Sequence, residues 1–281
     1  MPPAAASFHA LLRTLHIGAG ALTLVLFWIP LVARKGSLPH RVAGRAFVAA
    51  AALATATALV SCAWLVADPA GFAGSMAAAT PADRWRLRFF GALLGGLACY
   101  TIPPLVLAVA VVRSRARPEG LATLAVRALA LLPAAAGSGL VLFAAAWVGA
   151  AGPSLEALAA VAVGILGLKA TRDLRRFLAR PAPTPREWRA RHVEFTLTCG
   201  IAFHTAFSVF GLSRLFPGIF SGPWQVVAWL LPAAAGLPVM AVWMRRERSA
   251  DPRPGERRLG VHLPPAAGGF PTVPGDAADG H

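Results

Sequence analysis

The chain has 281 residues, of which 57% are hydrophobic and 14% charged, with a formal net charge of +15. At a mean hydropathy of +0.61, so few charged side chains cannot cover a soluble globule of this length, so the expected environment is a lipid bilayer. The positive charge falls in short clusters between apolar runs rather than on one polar face, which argues against nucleic acid as a partner.

A helix needs about 20 mostly apolar residues to cross a hydrocarbon core roughly 30 Å thick. Seven segments qualify: 10–33, 46–67, 89–112, 128–150, 155–176, 193–214 and 224–244. The expected fold is therefore all-α, a polytopic seven-helix membrane domain over residues 1–244. A Pro- and Gly-rich cytoplasmic tail without helical periodicity follows over 245–281. No basic stretch precedes the first apolar run, so the first helix is expected to stay attached rather than be cleaved as a leader. The fifth segment is the weakest, because its apolar run LEALAAVAVGILGL ends at Lys169 and TRDLRRFL must emerge among headgroups.

Short loops rich in Lys and Arg stay cytoplasmic. The connections after the first, third, fifth and seventh segments are basic, whereas AGPSLE and FPGIFSGPW, after the fourth and sixth, carry no Lys or Arg. This predicts an N-terminus outside and a C-terminus inside, with DRWRLR (Asp83–Arg88) as the exception on the outer side. Arginine outnumbers lysine 25 to 2 and Ala, Gly and Pro abound, a usage expected of a GC-rich bacterium and hence of its plasma (inner) membrane. Trp28, Trp64, Trp147, Trp188, Trp224 and Trp243 lie near predicted helix ends, as interfacial belts do. Cys62, Cys99 and Cys199 stand apart within apolar runs and read as small buried residues.

Polar groups at bilayer depth are the functional candidates. In KGSLPHRVAGR (Lys35–Arg45), His40 reads as an anchor of a tight cytoplasmic turn, with Arg41 and Arg45 reaching toward headgroups. His16 shares a helical stripe with His9, Gly20, Thr23 and Phe27, which is expected to face protein. Tyr100, the only tyrosine, precedes Pro103 and Pro104, which should kink the third segment and free the carbonyls of Cys99 and Tyr100. Thr184, Pro185 and Glu187 read as a helix start that carries Trp188 and His192 through the interface. Glu194 is spaced to pair with Arg191 (i, i+3), and His204 lies mid-segment with Gly200, Thr205, Ser208 and Gly211 around it.

Several of these stretches carry a resemblance. LHIGAG (Leu15–Gly20), KG followed by HR-x-x-GR (His40–Arg45), WRARH (Trp188–His192) and TAF (Thr205–Phe207) together resemble a family of bacterial multi-pass membrane proteins catalogued as a domain of unknown function. EFTLTCG stands where that family usually has a methionine-containing stretch. The resemblance implies a topology and no activity.

Three functions fit the sequence. His16 and His204 are expected to lie at similar depth and would hold a b-type haem or a metal, with Tyr100 and Ser208 beside the ligands. Alternatively the same histidines, with Glu194, Thr205 and the Pro103 kink, would line a proton or small-solute path. The third reading is a non-catalytic assembly protein in which the histidines only join helices. No Walker loop, strand-bound GxGxxG, HExxH or GxSxG occurs, and whether the chain is an enzyme stays open.

Overall fold

A computed structural model describes residues 3–74, 76–114, 121, 123–179, 185–216 and 224–249. The chain divides into two units, Met1–Arg248 and Ser249–His281, the second lying outside the described residues apart from Ser249. The first unit is all-helical: α1 (Pro3–Val32), α2 (Leu38–Ala67), α3 (Pro69–Ala73), α4 (Pro81–Arg113), α5 (Leu124–Leu129), α6 (Leu132–Ala151), α7 (Leu155–Leu178), α8 (Pro185–Ala206), a π-helical turn (Phe207–Gly211), α9 (Leu212–Leu215) and α10 (Trp224–Ser249). Among the described residues six stretches are long and apolar enough to cross a membrane: Ala5–Val32, Leu38–Ala67, Pro81–Arg113, Leu124–Gly149, Glu187–Gly211 and Val227–Arg246. The fifth expected segment, α7, falls short of that standard because Lys169, Arg172 and Asp173 follow its apolar run so closely.

Most helices run beyond the apolar segments because capped polar turns extend them. Ser37 accepts from the His40 amide at the start of α2. Thr80 and Asp83 close a reciprocal capping box at the start of α4. His40 therefore lies in the first turn of α2, not in the preceding reversal, which falls on Ala33–Ser37 with Gly36 at φ +79°. The sixth expected segment is interrupted by the π turn at Phe207–Gly211, and the fourth by the break between α5 and α6. The proposed N-cap Thr184 and the tail from Ala250 lie outside the described residues; Arg245–Ser249 belong to α10.

The centre of the bundle is α4, which packs on α2, α6, α7 and α8. It runs antiparallel to α8: the Phe90 and Phe210 rings meet at one end (5.8 Å between centroids), and the Ala108 carbonyl meets His192 at the other. The α6–α7 hairpin is equally regular. Trp147 donates to the α7 cap Ser154 (3.1 Å), Gly137 faces Gly164, and Gly167 lies against the Pro133 carbonyl. α7 thus travels back along the whole of α6, and α8 begins at the end of the bundle where α4 finishes.

Three clusters fill the interior. Phe27, Phe47, Ala51, Leu105, Leu197 and Cys199 join α1, α2, α4 and α8. Phe89, Leu93, Leu140, Ala144, Trp147 and Ala160 join α4, α6 and α7. Leu107, Val111, Leu174, Phe177, Trp188 and Phe195 join α4, α7 and α8. Trp147 and Trp188 are buried in these clusters instead of sitting in an interfacial belt, because neighbouring helix ends overlap them. Outside, Leu22 and Val25 of α1, Leu142 of α6, Ile165 of α7 and Leu230 and Leu231 of α10 are exposed. So much exposed aliphatic surface suits acyl chains and not water. Because lipid is as apolar as leucine, the helices must adhere by close packing and hydrogen bonds, which gives the glycine contacts of α6 and α7 their weight.

Candidate functional site

Four histidines of the bundle share one arrangement. His16 Nδ1 lies 3.0 Å from the Ala54 carbonyl of α2, His40 Nδ1 3.0 Å from the Pro30 carbonyl of α1, His192 Nδ1 2.8 Å from the Ala108 carbonyl of α4, and His204 Nδ1 2.8 Å from the Gly200 carbonyl. A carbonyl oxygen only accepts, so each ring carries a proton on Nδ1, and in the neutral ring Nε2 is then the acceptor. At His204 that acceptor is used: Trp28 Nε1–H donates to His204 Nε2 at 3.2 Å, with the Phe27 ring edge-on beside it. His204 must then be neutral, since a protonated ring would offer Trp28 a second donor.

His16 and His204 do not converge. Trp28, which bonds His204, stands twelve residues along α1 from His16, about 18 Å of helix rise. The two rings also use different neighbours. His16 faces Ala54 and Thr57 on α2, whereas His204 faces α1. An iron or other metal held by two imidazoles needs both nitrogens at about 2 Å from one centre, so the expected shared ligand pair is corrected on distance alone. His16 is also exposed at the edge of its stripe, of which Thr23 and Phe27 are buried.

The residues expected to flank that pair have other roles. Tyr100 donates its hydroxyl to the Val163 carbonyl of α7 (2.9 Å) and fits against Gly137 and Gly167, a strut between helices. Pro103 and Pro104 are buried within α4, which continues through them. Glu194 pairs with Arg191 at 2.7 Å as its spacing implied, and the same guanidinium lies over the Phe177 ring at 4.8 Å. Thr205 is half-buried next to His204, and Ser208 is buried in the π turn one step beyond. π turns inside α-helices recur at functional positions. Arg41 and Arg45 are exposed on the first turns of α2.

The histidines that do meet are His40 and His192, with ring centroids 6.4 Å apart and planes at 67°. Sequence reasoning had treated both as anchors. Their backbone acceptors belong to α1 and α4, so four helices fix the pair: α1 through Pro30, α2 through His40, α4 through Ala108 and α8 through His192. Lys35 closes the site, donating to the Pro30 and Leu31 carbonyls (2.8 Å each) while its ammonium lies 5.0 Å from the centre of the Trp243 ring. Two bare Nε2 atoms can take up a proton or a ligand. Among the described residues no group of three or more metal-binding side chains forms, and a zinc-type site takes three or four protein ligands.

Polar groups continue from this pair toward the far end of the bundle. Thr101 of α4 bonds Thr55 of α2 (3.4 Å), Thr57 bonds the Ala54 carbonyl (3.0 Å), and His16 closes the series. Between Ala108 and Thr101 lie about 10 Å of α4, the turn in which Pro103 and Pro104 remove amide donors. Comparison with family models, with curated proteins and with solved structures returns no match.

Proposed function

We propose that the chain is a seven-span protein of a bacterial plasma membrane, N-terminus outside and C-terminus inside, that moves protons through the seam between α1, α2, α4 and α8. Parity supports the seventh span. If α4 and α6 each cross and α8 starts where α4 ends, the chain must return between α6 and α8, and α7 is the helix that makes that return. The basic connections Arg34 to Arg45, Arg113 to Arg127 and Arg172 to Arg191 support a cytoplasmic assignment of the side they share. The likeness of LHIGAG and HR-x-x-GR to the bacterial multi-pass family belongs to the same proposal.

The observation that carries the proton reading is the His40–His192 pair, two imidazoles whose Nδ1–H groups bond carbonyls of neighbouring helices and whose ring centroids stand 6.4 Å apart. Imidazole is the side chain whose ordinary protonation equilibrium lies near physiological pH. The haem reading loses its ligand pair, so the proton path is the stronger of the functions that the sequence suggested. The test is proton entry into liposomes containing the purified chain and an internal pH dye, driven by a valinomycin-set potential. Wild type should exceed empty vesicles, and His40→Gln and His192→Gln should fall to the empty-vesicle rate. Equal flux in wild type and both variants, or none above empty vesicles, overturns the proposal.

A further inference from the structure

A second feature stands apart from the histidines. At the basic end of the α6–α7 hairpin an open cleft of about 570 Å³ is lined by Ala134, Leu168, Thr171, Arg172, Arg175 and Arg176, with Ala179 at its rim. Ala134 belongs to the first turn of α6, where the backbone continues from α5 through Ala130 and Leu131 in helical conformation. Two properties of its walls favour an anion. Among the described residues no hydrogen bond or ion pair occupies the exposed Arg172, Arg175 and Arg176 side chains, although the Asp173 carboxylate, bonded to Lys169 at 2.7 Å, also attracts Arg172 and Arg176.

Thr171 is the second property. It is 6% exposed, and its hydroxyl oxygen is the buried side-chain polar atom that finds no hydrogen-bond partner among the described residues. A helical threonine ordinarily bonds a carbonyl of its own preceding turn, as Thr23 does to Ala19 and Thr196 to His192. A buried hydroxyl left without a partner is costly, and a phosphate oxygen entering the cleft would give it an acceptor.

We propose that this cleft binds a phosphate group, and that its donor is the headgroup of an acidic phospholipid, held by Arg172, Arg175 and Arg176 with the Thr171 hydroxyl beneath. The identity of the donor, though not the anion site itself, rests on α7 reaching the cytoplasmic headgroup layer. Leu168 at the cleft wall and exposed Ile165 one turn away give the acyl chains an apolar surface to follow.

The test is thermal unfolding of the full chain in detergent micelles doped with phosphatidylglycerol or phosphatidylcholine, or in micelles with inorganic phosphate alone. Phosphatidylglycerol should raise the midpoint and phosphatidylcholine should not. The phosphatidylglycerol concentration giving half the effect should rise about fivefold for each of Arg172→Gln, Arg175→Gln and Arg176→Gln. Thr171→Val should weaken the phosphatidylglycerol response while leaving the lipid-free midpoint equal or higher, because it removes a hydroxyl that has no partner without ligand. Equal responses to the two lipids, or arginine and Thr171→Val variants that respond as wild type does, overturn the site. A response to inorganic phosphate with none to phosphatidylglycerol overturns the lipid as its source.

Discussion

Substitution of Gly164 by alanine tests the α6–α7 hairpin on which the seventh span depends. An added Cβ would stand 2.6 Å from Val141 Cγ2 and 2.7 Å from the Gly137 carbonyl oxygen. The valine methyl can rotate away, but the carbonyl is backbone of the facing helix, so α6 and α7 must separate by several tenths of an ångström. Overpacking of this kind costs about 1–3 kcal/mol. The Tyr100 bond to the Val163 carbonyl, 2.9 Å long and one residue away, would stretch with it for about 1 kcal/mol more. At about 2–4 °C per kcal/mol for a chain of this size, the total of about 2–4 kcal/mol should lower the thermal unfolding midpoint in detergent by about 4–16 °C. Gly139→Ala is the internal control, since it lies on α6 with nothing within 4 Å of its added methyl and should leave the midpoint within a degree or two of wild type. Equal midpoints for Gly164→Ala and Gly139→Ala would refute the close approach, and with it the packing argument for α7 as a crossing helix.

Gly200→Ala should be at least as disruptive, because its Cβ would overlap the Phe27 ring and push it out of the cluster that backs His204; near-ultraviolet circular dichroism and the unfolding midpoint should both change. Trp28→Phe keeps the ring and deletes the donor to His204 Nε2, so it should destabilise by about 1 kcal/mol, read from the same unfolding curve. His204→Ala in the Trp28→Phe background should then cost less than in wild type, and additive losses would show that the bond contributes nothing. Tyr100→Phe removes the strut to α7 and leaves the Val163 carbonyl without it; a loss of about 1–2 kcal/mol is expected, and an unchanged midpoint contradicts the assignment.

The apolar runs were enough to announce the helices, because a span is a composition as much as a pattern. Their ends were less legible. Ser37 and Thr80 cap helices that continue well into polar sequence, which moved His40 from a turn into α2. Local pairs were readable where spacing alone decides them, as for Arg191 and Glu194. Trp147 and Trp188 look like belt residues one helix at a time and become core only when a second helix end covers them. The His16–His204 pairing failed for a related reason: each depth was counted along its own helix, whereas the contact of His204 falls on Trp28, far along α1. No local signal joins His40 to His192, whose meeting depends on the α4–α8 register, and none marks the π turn after His204.

The central claim is that His40 and His192 hold their protons on Nδ1 and leave Nε2 free to accept another. Solid-state nitrogen NMR of histidine-labelled protein in lipid bilayers at neutral pH reads this directly, with His40→Gln and His192→Gln assigning the signals. The account predicts a protonated Nδ1 and a bare Nε2 for both residues, with the Nδ1 protons hydrogen-bonded to carbonyls. Protonated Nε2 and bare Nδ1 at either residue would contradict it, because the Pro30 or Ala108 carbonyl would then lose its imidazole donor and the pair would have no fixed site for an incoming proton.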